Sequence, residues 1–257
     1  MCLTTKQSKS PFTSFTNLMQ FIPIKTRPLL PPKDNLFEVL DTYVTDVQDG
    51  DIIFITSKIL AIHQGKCIKA TEINKKDLVE QEADKRIRTD VMPGKDTYLT
   101  IKNDILIPSA GIDESNANGY YILWPDNLPT FSKEIHDYIC KKHQVKNIGI
   151  IITDSTTRPL KWGVVGIGIY AYGIQPLIDK RGVKDIFGKA LEITQVNVVD
   201  ALSAMAVYLM GEAAECQPIV IGRNIPGIEY ADTYTFEATK IPPENDLYRP
   251  LLKPLME

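Results

Sequence analysis

The run IGIIIT at 148–153 constrains the fold most: it is apolar without interruption, reads as a buried strand, and leads straight into a carboxylate, Asp154. IIFIT at 52–56, entered through the turn Asp49-Gly50-Asp51, and PIVIG at 218–222 read as strands too. Residues 35–46 predict a helix with Leu36, Val39, Leu40 and Tyr43 on one face. Asp77 followed by Glu80 resembles the capping box of a charged helix ending before Pro93, residues 101–107 read as one strand, and Ser132 is placed to cap a helix through Lys142. Asp200 reads as the cap of an amphipathic helix whose stripe of Leu202, Met205, Ala206 and Leu209 is continued by Glu212. Helices and strands in this irregular order predict an α+β fold with mixed sheets and packed helices, not a regularly alternating α/β one.

With 257 residues the chain can bury a sizeable core, as one domain or two closely joined ones. Its 29 basic and 32 acidic residues leave a formal charge of -3, so no global field draws in nucleic acid or an anionic membrane, and an anionic ligand has to be held locally. Cys2, Cys67, Cys140 and Cys216 form no CxxC pair, which signals neither a disulfide framework nor a zinc site. No segment approaches the roughly 20 apolar residues of a membrane helix. Residues 1–20, rich in Ser and Thr, are expected to be a flexible extension, with a transit peptide as the lesser alternative, ahead of a folded region at 21–257. A cytoplasmic location is expected.

Three carboxylates stand out by context. Asp113 lies in the polar loop SAGIDESN after an apolar strand, Asp154 is followed by Ser155, Thr156 and Thr157, and Glu212 shares a helix face with Met205 and Leu209 at spacings of three and four. Oxygen donors of this kind suit Mg²⁺ or Mn²⁺, which keep waters and bridge substrate phosphates. From spacing alone the simpler reading is a turn former, a helix cap and a solvated helix end. No GxxxxGK[ST] loop is present to hold a triphosphate. GIGIYA at 166–171 imitates a dinucleotide fingerprint, but its glycines sit in a strand-like run where close packing is the better explanation. His63, His136 and His143 share no metal-ligand spacing, and the last two fall on a helix that reads as exposed.

Taken together, SAGIDESN, IIITDSTTRPLKWGVVG, KDIFGK at 184–189 and LMGE at 209–212, with DGDIIFITSKI near the start, resemble the coenzyme F420-0:L-glutamate ligases over roughly residues 27–223. The resemblance implies a GTP-dependent ligase, with ATP as an alternative nucleotide, using two divalent cations, Mg²⁺ or Mn²⁺, in a homodimer of two intertwined subdomains. It implies that Asp113 and Asp154 hold one metal, and that Ser155, standing where threonine is usual, and Glu212 hold the second. Nucleotide contacts are implied for Arg27, Pro28, Leu29 and Leu30, for Ser57 and Lys58, for Asn116, and for the turn containing Met210, Gly211 and Ala213. Transfer of the γ-phosphoryl group to the acceptor carboxylate would make an acyl phosphate that the glutamate amine attacks, with Arg158 and Lys161 as donors to the developing negative charge. A solvated basic loop accounts for those two residues equally well.

The stretch ILAIHQGKC departs from the family pattern: Ile62 takes the place of a nucleotide-contacting lysine, Gln64 of a glutamate and Lys66 of an arginine. Tyr170 stands where a glycine is usual. Partners are therefore L-glutamate, a nucleoside triphosphate and an F420-0 or folate acceptor, with two competing readings: a nucleotide-binding homologue without ligase activity, and a two-metal phosphohydrolase.

Overall fold

Ile52–Ile55 and Ile150–Ile152 are fully buried. Because successive residues of a strand face opposite sides, both faces of both strands must be covered. The computed structural model, which describes residues 18–89 and 97–256, shows how. The chain runs β1 (Gln20–Ile24), α1 (Leu36–Tyr43), β2 (Ile52–Thr56), α2 (Ser57–Gln64), β3 (Cys67–Lys69), α3 (Lys75–Glu82) and β4 (Lys85–Thr89). It continues through β5 (Thr97–Lys102), β6 (Ile105–Pro108), β7 (Tyr120–Ile122), α4 (Leu128–His143), β8 (Gly149–Thr157) and β9 (Val164–Ile174). It closes with β10 (Leu177–Asp179), β11 (Gln195–Asn197), α5 (Val198–Met210), β12 (Ile219–Arg223), β13 (Tyr230–Ala231) and α6 (Arg249–Met256).

The main sheet has the order β1-β12-β2-β8-β9-β13, and only its central pair, β2 and β8, is parallel. Helices α4 and α5 both pack on β8 and β9, and α5 extends across β12 and β1. A three-stranded sheet β4-β5-β6 carries a smaller core of Leu78, Val79, Tyr98, Ala110, Ile112, Tyr121 and Leu123. The architecture is α+β, as expected. Among the described residues no helix is long and apolar enough to cross a membrane. Of the extension assigned to 1–20, residues 1–17 lie outside the described region, and Gln20 already begins β1.

Several local expectations need correction. The helix expected over 35–46 spans 36–43, capped by Asn35, which accepts from the Phe37 amide. Asn74, not Asp77, caps α3, and the chain leaves that helix at Ala83 to form β4. Pro93 lies outside the described residues. The single strand expected at 101–107 is instead a hairpin, turned by Asn103 and Asp104, both at positive φ. Ser132 is buried inside α4, which begins four residues earlier at Leu128. Likewise Asn197 caps α5 by accepting from the Asp200 amide, so Asp200 belongs to the first turn.

The buried face of α5 runs through Val199, Ser203, Ala206, Val207 and Met210, while Met205 is exposed. Gly211, at φ 78°, ends the helix, so Glu212 does not extend its stripe. The glycines of GIGIYA serve close packing: a Cβ on Gly166 would strike Val207, and one on Gly168 would strike Val199, both on α5. Tyr170 is accommodated by the C-terminal segment, whose Phe236 ring packs 5.1 Å from it. His136, expected on an exposed helix, is buried against Tyr172.

Candidate functional site

Ligands of open sheets bind beyond the carboxyl ends of parallel strands, and here that position lies past β2 and β8. β2 passes without a loop into α2, so Ser57 and Lys58 form the helix's first turn. The Ser57 hydroxyl donates to Asp154 Oδ2 at 2.8 Å, and the Ser155 amide donates to Oδ1 at 2.7 Å. Asp154 does not end its strand as expected, because β8 continues to Thr157. What sets it is a bulge: pairing jumps from Ile152↔Tyr170 to Thr153↔Gly168, a device that re-aims side chains next to binding sites.

Asp113 is held by a two-way backbone bridge with Ile122, at 3.0 and 2.9 Å. Its Oδ1 accepts from both the amide and the hydroxyl of Ser115 at 2.8 Å each, and its Oδ2 lies 2.6 Å from the Lys58 ammonium. The Asn116 amide donates to the Ala213 carbonyl at 2.6 Å, fastening this loop to the turn after α5. That turn is fastened in its own right to the Thr26–Leu30 segment by Thr26 N–H donating to the Cys216 carbonyl at 2.9 Å.

These fastenings enclose a cavity of about 410 Å³. All four implied metal positions, Asp113, Asp154, Ser155 and Glu212, line it. Ser57, Lys58 and Asn116 line it too, with Arg27, Pro28 and Leu29 from one segment and Met210, Gly211 and Ala213 from another. Leu30 does not, being exposed on the far side of its segment. The Arg27 guanidinium is engaged by Asp34 through two hydrogen bonds of 2.6 and 2.7 Å. Arg158 and Lys161 are not brought to the cavity: they lie on the exposed β8–β9 loop, where Arg158 lines a separate groove near α5 and the C-terminal segment. Ser115, assigned no role from the sequence, also lines the cavity, as does Glu215, which lies in the turn from 210 to 217 implied to contact nucleotide. Ser115 was discoverable, since a serine two residues after an aspartate favours an Asx turn.

Negative charge is in surplus here. Burial pushes the Asp154 carboxyl up to about 6, the Asp113 charge adds to that rise, and the Ser57 hydroxyl, the Ser155 amide and Lys58 oppose it. Burial also raises Glu212, against the pull of Lys58. For Asp113 burial acts upward as well, but Lys58 and Ser115 outweigh it and hold the carboxyl below its usual range. Among the described residues no three His, Cys, Asp or Glu side chains are arranged to hold a metal on their own. Mg²⁺ does not require that, being commonly held by one or two carboxylates together with substrate phosphates and water. The all-oxygen donors and the surplus charge fit a hard divalent cation.

A sequence profile of the F420-0:gamma-glutamyl ligase family matches residues 24–224. The chain belongs to this family. Among the relatives of this F420-0:gamma-glutamyl ligase family member, the coenzyme F420:L-glutamate ligase of Methanocaldococcus jannaschii is 35% identical over 212 residues, covering 75% of this chain and 82% of the relative. The enzyme of the same name from Methanopyrus kandleri is 32% identical over 209 residues, covering 76% and 82%. That from Methanosarcina mazei is 32% identical over 244 residues, covering 87% and 92%. The family match ends at 224, so β13 and α6, which follow it, lie beyond the matched region.

Proposed function

We propose that the chain is a ligase that joins L-glutamate through an amide bond to a carboxylate of a cofactor acceptor, coenzyme F420-0 or a folate, at the expense of GTP or ATP. The observation that carries this reading is the meeting of Asp113, Asp154 and Glu212 with Ser57 and Lys58 in one cavity, in a chain whose relatives bear the name of that activity.

The γ-phosphoryl group passes to the acceptor carboxylate, releasing the nucleoside diphosphate. The glutamate amine then attacks the acyl phosphate, phosphate leaves, and the amine gives up a proton. Asp113 and Asp154 would hold one cation and Ser155 and Glu212 a second, Mg²⁺ or Mn²⁺. When bound, these ions neutralise phosphate oxygens and align the transfer. The first turn of α2 presents backbone N–H groups and the Lys58 ammonium to the phosphates, and the buried wall of Leu29, Ile59 and Ile62 keeps water from one side of the cavity.

We also propose a homodimer. Leu160 and Trp162, between β8 and β9, and Ile186, Phe187 and Ile193, between β10 and β11, are each at least 87% exposed, and a second chain would cover them. Because Arg158 and Lys161 stand away from their own chain's cavity, a role for them in transfer requires a second chain. Size-exclusion chromatography with light scattering tests the assembly, and a monomer at micromolar concentration rejects it.

The activity is tested by incubating the protein with Mn²⁺ or Mg²⁺, GTP or ATP, L-glutamate and either F420-0 or tetrahydrofolate, and reading product masses. Addition of a glutamyl group to one acceptor, dependent on metal and nucleotide, is the expected result and names the acceptor. Nucleotide binding with no addition to either acceptor would instead favour a binding homologue, the reading that Ile62 in the cavity wall motivates, or an acceptor other than these two. Rapid phosphate release without glutamate would identify a phosphohydrolase.

A further inference from the structure

The ammonium of Lys58 has a complete set of acceptors: Asp113 Oδ2 at 2.6 Å, the Ser115 carbonyl at 2.9 Å and the Ser115 hydroxyl at 3.3 Å. A lysine ammonium has three donors, so none is left over for another ligand. Both oxygens of Asp113 are likewise engaged, Oδ1 by Ser115 and Oδ2 by Lys58. A cation on the remaining lone pair of Oδ2 would sit beside the ammonium, and repulsion between the two positive charges favours departure of the ammonium.

The location of Lys58 makes little sense as helix stabilisation. It is the second residue of α2, where the helix dipole disfavours a cation, and Thr56 ahead of it makes no side-chain cap. The first N–H groups of a helix, which have no partner within it, favour an anion instead. Lys58 therefore sits against its own helix dipole because the carboxylates opposite hold it there. Its charge eases the ionisation of Asp154 and Glu212 as well as Asp113. Glu212 has no hydrogen-bond or ion-pair partner among the described residues, so this long-range attraction is its visible compensation.

We infer that Lys58 is a built-in counter-cation: it offsets part of the charge of the acidic cluster in the ligand-free protein, is displaced from Asp113 when a divalent cation binds, and is then released toward the nucleotide phosphates. This rests on the proposed metal site and adds to it an order of exchange: metal and lysine compete for Asp113, and nucleotide relieves the competition by offering the ammonium another anion.

The test is a Mn²⁺ titration followed by electron paramagnetic resonance, on wild type, Lys58→Met and Lys58→Arg, with and without a non-hydrolysable GTP analogue, and with thermal unfolding to confirm that each variant is folded. Without nucleotide, Lys58→Met should bind Mn²⁺ about five- to tenfold more tightly than wild type, the equivalent of releasing one partly exposed ion pair. Lys58→Arg, which keeps the charge, should show no such gain. With the analogue present the advantage of Lys58→Met should vanish or reverse, because the phosphates then lack their cation. A merely structural lysine would not tighten Mn²⁺ binding when removed. Equal or weaker Mn²⁺ binding by folded Lys58→Met without nucleotide overturns the inference and leaves the metal site standing. Absence of Mn²⁺ binding in all three proteins, with and without the analogue, overturns the metal site and the inference together.

Discussion

The two ends of β2 treat a carboxylate in opposite ways. At the start of the strand Asp51, 1% exposed, accepts from Arg223 through Nε at 2.9 Å and Nη2 at 2.7 Å, and from the Gln48 amide at 2.8 Å. Arg223 turns its remaining Nη1 to Asp46. The buried carboxylate is matched there in charge and hydrogen bonds by Arg223, while the second carboxylate, Asp46, stands in solvent at 73% exposure. At the other end three carboxylates face Lys58 and a few hydroxyl and amide donors, and burial with mutual repulsion raises two of the three. A fold that satisfies one buried carboxylate so fully, yet leaves a surplus five residues away, has placed that surplus for something that arrives from outside.

The sharpest way to break this comparison is at the matched end. Asp51→Ala leaves the Arg223 guanidinium half-buried without its bidentate partner, and should lower the free energy of unfolding by about 3–5 kcal/mol in a denaturant titration. A loss under about 1 kcal/mol would remove the distinction between the two ends. At the surplus end the expected effect falls on chemistry: Asp154→Asn and Glu212→Gln should each lower metal-dependent turnover by about 100-fold or more, close to 3 kcal/mol of transition-state stabilisation. Unfolding of the metal-free variants should be unchanged or occur at higher temperature, since each change removes a repelled charge. Full turnover in both variants would sink the assignment of the site.

The strands around the matched end were readable in the sequence because burial on both faces leaves an unbroken apolar run, as in IIFIT and IGIIIT, whereas the pairing of Asp51 with Arg223 left no local sign. Element boundaries were less readable where two residues compete for one role. In NVVD, both Asn197 and Asp200 are good caps, and only the geometry, with Asp200 Oδ1 turned to the Gly168 amide, decides between them. The hairpin turn at Asn103-Asp104, between Ile101 and Ile105, lacks the glycine that usually marks such a turn, so the two short strands read as one. The three carboxylates stood out by context and then by resemblance, but their meeting in one cavity was not legible. Asp113, Asp154 and Glu212 meet through a bridge to Ile122, a bulge in β9 and a helix end at Gly211, none of which leaves a pattern in spacing.

A smaller effect sharpens the comparison through pH. Because the Asp154 carboxyl is raised to about 6 in the metal-free protein, it binds its proton more tightly folded than unfolded. Its contribution to stability is complete below the unfolded value of about 3.9 and is lost as pH rises through about 6. The metal-free protein should therefore lose on the order of 2 kcal/mol between those values, a figure reduced for the open side of the cavity. Unfolding titrations of wild type minus Asp154→Asn isolate the contribution, and parallel pH profiles for the two proteins would show that Asp154 is not under this strain.

The smallest effect separates residues that lie close together in sequence at the end of α2 and just after it. Ile62 lines the cavity, but Gln64 and Lys66 face away and fasten the loop at Asp126: the Gln64 amide donates to the Asp126 carbonyl and accepts from its N–H, both at 2.8 Å, and Lys66 reaches the Asp126 carboxylate at 3.1 Å. Only an amide can both donate and accept at that spot. Gln64→Glu, which restores the residue usual in the family, loses the donated bond and should cost about 1 kcal/mol of stability with nucleotide affinity unchanged. Ile62→Lys, by contrast, should alter nucleotide affinity, because it returns a cation to the cavity wall. If calorimetry finds nucleotide binding moved by Gln64→Glu and indifferent to Ile62→Lys, the boundary drawn here between scaffold and site runs through the wrong residue.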